Sequence, residues 1–120
     1  MPARLRPADP MAVAEALARE ERAPADLKLL SKHFLAVLAE RAPGRSVEVR
    51  VPPYAAAQVV EGVRHTRGTP PAVVETDPQT WIALATGALD WPTAVADGRV
   101  RASGERTDLA PYLPLVEGGP

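Results

Sequence analysis

The spacing of apolar and polar positions changes period several times along the chain, and each change marks an element. Asp9-Pro10 reads as a helix start, with aspartate as the N-cap and proline at the first helical position. Met11, Ala14, Leu17 and Ala18 then recur at helical intervals to about Arg22. Pro24 opens a second helix, expected over 24–41. Its apolar stripe is Leu27, Leu30, Phe34, Val37 and Leu38, with Lys28, Lys32, Glu40 and Arg41 toward water. His33 lies beside that stripe with no second histidine one turn on, which predicts a boundary or surface histidine rather than a metal ligand. Pro43-Gly44 stops the helix.

From there the period shortens to two. Val47, Val49 and Val51 alternate with Glu48 and Arg50, as in a strand with one buried face. After the Pro52-Pro53 break, YAAAQVV (54–60) and AVVET (72–76) read as two further strands. Asp77-Pro78 repeats the helix-start device, and the helix it opens carries Trp81, Leu84 and Ala85 to Gly87. DWPTAVADG (90–98) predicts a short helix closed by Gly98, and RVRAS (99–103) a last strand with Val100 and Ala102 inward. Thr107 is expected to cap a final short helix carrying Leu109 and Leu113. Helices grouped around short strands predict an α+β fold: a largely antiparallel sheet of four to five short strands, with helices packed on one face. Residues 1–8 are expected to be a flexible arm, 9–116 a single domain, and 117–120 a frayed tail.

Composition narrows the chemistry. The 120 residues include no cysteine, which excludes disulfides, thiolate nucleophiles and cysteine-bearing zinc sites. The net charge of −1 gives no field for nucleic acid. No apolar run reaches the ~18 residues of a membrane span, and MPARLRPADP lacks the apolar centre of a signal peptide. A cytoplasmic protein is expected. Only five aromatic residues other than histidine serve the domain, so its core must be built largely of Ala, Val and Leu.

The densest polar cluster is RHTRG, 64–68, set between Gly62 and Pro70-Pro71. Three readings are open. If the strands on either side pair as a hairpin, Glu61, Glu75 or Asp77 would face Arg64 and Arg67 and pin an ordered corner; this structural reading leads. Alternatively, Arg64, His65 and Arg67 hold a carboxylate or phosphate, or the cluster docks another protein. Catalysis finds little support. Ser31, Ser46 and Ser103 lie in no nucleophile motif, the two histidines have no metal-ligand spacing, and no phosphate loop or dinucleotide fingerprint is present. No cofactor or metal is implied. Trp81 and Trp91 read first as core, with a ligand-lining role as the alternative.

The stretch VVETDPQTWIALATGALDWPTAVADGRVRASG (73–104) resembles the sterol carrier protein 2 family through Trp81, Leu84, Gly87, Leu89, Ala94, Val95, Gly98, Val100 and Gly104. Over roughly 25–115 the chain looks most like the bacterial, chiefly actinobacterial, orthologues of that family, in which RHTRGTPP and VETDP are typical wording. More distantly it is similar to the C-terminal domain of mycothiol-dependent maleylpyruvate isomerases. The resemblance implies helices covering an apolar tunnel that holds sterols, fatty acids or acyl-CoA, without catalytic residues.

The leading expectation is therefore non-catalytic binding of a small lipid-like molecule. Trp81, Leu84, Trp91, Leu109 and Leu113 are the expected liners, together with Val47, Val49, Val51 and Val73, while Arg64, His65 and Arg67 would take a polar head. Two alternatives stay open: an interaction module or homodimer whose tunnel has filled in, and an accessory domain related to mycothiol-dependent enzymes.

Overall fold

The computed structural model describes residues 5–62 and 72–116. Within them the chain forms α1 (Pro10–Ala18), α2 (Pro24–Arg41), β1 (Val47–Val51), β2 (Ala55–Val59), β3 (Ala72–Thr76), α3 (Pro78–Thr86), α4 (Trp91–Ala96), β4 (Val100–Ser103) and a single 3-10 turn (Ala110–Tyr112). The architecture is α+β.

Helix starts follow the local chemistry closely. Asp9, Asp77 and Asp90 each precede a proline-containing first turn, and their carboxylates accept from the amides of Ala12, Thr80 and Thr93. Asp77 also accepts from the Thr80 hydroxyl at 2.6 Å. α3 ends on Gly87 at φ 86°, a left-handed position that glycine occupies without steric cost. At the start of α2 the Asp26 carboxylate receives the Ala23 amide at 3.0 Å and pairs with the Arg19 guanidinium.

The sheet has the order β2-β1-β3-β4. β1 pairs antiparallel with β2 and β3 with β4, but β1 and β3 run parallel. The hairpin on which the pinned RHTRG corner was conditional does not form: β1 stands between the second and third strands. Register places Val47, Val49, Val51, Val59, Ala72, Val74 and Val100 on one buried face. Glu48, Arg50, Gln58, Glu75 and Arg101 lie on the opposite face, where Arg50 pairs with Glu48. α2 packs on β2 and α3, and α1 packs on α2.

Three further expectations need correction. α1 stops at Ala18, because Arg19 turns extended to meet Asp26, and Arg22 folds back onto the carbonyls of Ala16 and Leu17. Its buried face is Val13 and Ala16, whereas Met11 is 72% exposed. Ala102 is exposed. The helix expected to begin at Thr107 is only the 3-10 turn, with Asp108 accepting from the Ala110 amide.

The segment after β2 is tied back to the loop after α2. The Val60 amide donates to the Ala42 carbonyl at 2.7 Å, and the Val60 carbonyl accepts from the Ser46 amide and, at 2.7 Å, its hydroxyl. Val60 itself is left-handed at φ 67°. Gly44, at φ 150°, lies so close that a Cβ there would sit 2.2 Å from the Val60 carbonyl group.

Candidate functional site

The residues expected to line an interior tunnel meet in one apolar core, except Val73, whose register opposite Glu48 puts it on the other face of the sheet. Trp81, Leu84 and Leu109 are each at most 1% exposed and pack with Phe34, Leu35 and Leu38. The Trp81 indole N–H donates to the Ser31 carbonyl at 3.3 Å, so its polar edge is already engaged. Trp91 is 8% exposed and belongs to the same core, while Leu113 and Val73 are half-buried. Val47, Val49 and Val51 form the buried face of β1. The Ser31 hydroxyl is the one buried side-chain polar atom left without a partner among the described residues. Arg64, His65 and Arg67 lie outside the described residues, as does the corner they were expected to form.

Open space lies outside this core. A groove of about 1400 Å³ runs between the N-terminal segment, the C-terminal half of α2 and β2. Its apolar surface comes from Leu5, Ala39, Ala56 and Ala57, with the buried Ala36 beneath them. Arg6, Arg45, Glu40 and Glu48 also line it, which gives an apolar trough with charged edges of both signs. The Val60–Gly44 contact fixes one end, since Gly44 and Arg45 are both part of the lining.

Among the described residues, the segment that forms the groove's outer wall is held by a single polar tie. The Ala8 amide donates to His33 Nδ1 at 2.9 Å. Leu5 and Ala8 also pack against the core. Burial holds the His33 pKa below its usual value, with the nearby Glu40 carboxylate pulling the other way.

A second, polar recess of about 310 Å³ sits where β3 leads into α3, lined by Pro52, Glu75, Thr76, Asp77, Arg99 and Arg101. Two of its groups, Thr76 and Asp77, are committed to structure. The Thr76 hydroxyl donates to the Arg99 carbonyl at 2.8 Å, and Asp77 caps α3. Partial burial pushes the Asp77 pKa up, but the hydrogen bonds from Thr80, helped by the Arg99 charge, bring it below its usual value. No group of three or more His, Asp or Glu side chains able to hold a metal occurs among the described residues, and no described helix is long and apolar enough to cross a membrane.

Sequence reasoning assigned none of the groove's lining residues to a binding site. The signal was present as Ala36 and Ala39 one turn apart on α2 and the alanine run of β2, but alanine at a helical or strand spacing reads as core filler until the placement of the two elements is known. No match is found among curated proteins. The family described as "Bacterial SCP ortholog" matches residues 22–115, which span α2 to the segment after the 3-10 turn, and the chain belongs to that family.

Proposed function

We propose that the protein is a non-catalytic binder of a small amphipathic molecule, held in the groove between the N-terminal segment, α2 and β2. The observation that carries this reading is the contrast between that open, alanine-lined trough and a core in which Trp81, Leu84 and Leu109 are fully buried. An apolar tail along Leu5, Ala39 and Ala57 would lose contact with water, and Arg45 or Arg6 would meet an anionic head. Arg64, His65 and Arg67, which follow Gly62 in sequence, are kept as proposed partners for the same head group. The family membership supports a carrier-type role. The closed core also favours a second reading, an interaction module or homodimer without a small ligand.

Displacement of a fluorescent fatty-acid analogue tests the proposal, with native mass spectrometry of the freshly purified protein beside it. Wild type is expected to bind the analogue, and Ala39→Trp, which fills the trough from a half-buried position, is expected to weaken binding at least about tenfold while the fold is kept. Unchanged binding in Ala39→Trp would move the site to the sheet–helix interior. A bare dimeric mass with no analogue bound at micromolar protein would establish the interaction-module reading instead.

A further inference from the structure

Among the described residues, the Ala8-to-His33 bond is the only hydrogen bond that reaches Leu5–Ala8. These residues lead directly into Asp9, which is fixed as the cap of α1. Leu5, Arg6 and Pro7 form one wall of the groove. The wall is thus anchored at its C-terminal end by α1 and held against α2 by one imidazole. The ring is half-buried and stands edge-on to Phe34, with centroids 4.9 Å apart, which restricts the ways it can turn.

That bond exists in only one protonation state. Nδ1 accepts the hydrogen bond from the Ala8 N–H through its lone pair, so the neutral ring must carry its hydrogen on Nε2. An imidazolium has N–H at both nitrogens and would point a donor at a donor. We propose that His33 is a proton-operated latch: the neutral ring holds Leu5–Ala8 against α2, and protonation releases this segment and widens the groove. The inference rests on the groove reading for its functional meaning, though not for the latch itself.

The surrounding elements carry Arg6 on the segment, Asp9 and Glu15 at and within α1, and Asp26, Lys28, Lys32, Glu40 and Arg41 on α2, of which Glu40 acts on the ring. Burial disfavours the imidazolium, and Glu40 partly offsets this. The latch is therefore closed at neutral pH and opens as the pH falls below the ordinary histidine value near 6.5. The leucine and alanine contacts of the segment oppose release, so opening shifts a population rather than unfolding the protein.

The test is NMR titration of the intact chain, following the His33 ring nitrogens and the Ala8 amide, in wild type and in His33→Gln. In His33→Gln the side-chain carbonyl supplies an acceptor that does not titrate. The expected result is an Nε2–H tautomer at neutral pH, with a shared midpoint for the ring and the Ala8 amide; in His33→Gln the Ala8 amide shows no such midpoint. An Nδ1–H tautomer, or an Ala8 amide indifferent to the His33 titration, overturns the latch. Fluorescent fatty-alcohol binding, chosen because the probe does not ionise, reads the gating. Its affinity is expected to change about threefold to tenfold across the midpoint in wild type, the scale of one hydrogen bond, and to stay level in His33→Gln. A level wild-type profile overturns the gating. Shared NMR midpoints with no probe binding at any pH would leave the latch standing and remove the groove's ligand.

Discussion

At the scale of single residues, Val60 carries the clearest conflict between backbone and side chain. Its φ of 67° is a conformation β-branched residues rarely adopt, yet the side chain is 6% exposed and packed in the core. The neighbouring Val59 is equally buried in a regular strand. Truncation should therefore rank differently at the two sites. At Val59, glycine should be less stable than alanine by about 0.5–1 kcal/mol, the usual penalty of glycine in a regular element. At Val60, the order should reverse, with glycine more stable than alanine by about 1 kcal/mol, because only glycine relieves the left-handed strain. Urea melts of the four variants measure both differences, and the same order at both sites would show that the bend at Val60 carries no strain.

At the scale of elements, the Asp-Pro starts and the valine alternation were legible because they are local. Asp77 accepts from both the amide and the hydroxyl of Thr80, so Asp77→Ala should lower stability by about 1 kcal/mol. A denaturant melt with an unchanged midpoint would count against the cap. What the sequence left open is partnership. A period of two says which face of a strand is buried, not which strand lies beside it, so the parallel β1–β3 pairing was invisible and a β2–β3 hairpin stayed open as a premise. α1 shows the same limit. Val13, Ala16 and Leu17 fit helical spacing as well as the expected Met11, Ala14, Leu17 and Ala18 do; the position of α2 keeps Leu17 and replaces the other three with Val13 and Ala16. The candidate site was the least legible part. A trough bordered by alanines is made by the way the N-terminal segment, α2 and β2 come together, whereas the residues expected to line a tunnel, Trp81, Leu84 and Leu109, are large enough to fill the interior themselves.

At the scale of the whole molecule, titration links these parts to stability. His33 is held below its ordinary pKa by burial, so the neutral ring contributes stability above about pH 6.5, and that contribution is lost as the pH falls toward and through the folded value. Asp90 is lowered by its hydrogen bonds from Thr93, and Asp77 by those from Thr80 against the effect of burial. Their contributions are present above the usual aspartate value and vanish in a second step as the pH falls below about 4. Chemical melts from pH 8 to pH 3 should show two declines separated by a shoulder. His33→Gln should remove the first and keep the second; a single decline in wild type would contradict this assignment.

The contact between Gly44 and Val60 bears on how the family can change over time. No side chain fits at 44 while the chain bends as it does at 60, and the bend in turn presents the carbonyl that Ser46 grips from two sides. A substitution at 44 alone is blocked by the backbone opposite, and straightening 60 alone abandons Ser46. Drift at this end of the trough can proceed only through joint replacement, so these three positions should behave as one heritable character, kept or lost together among descendants.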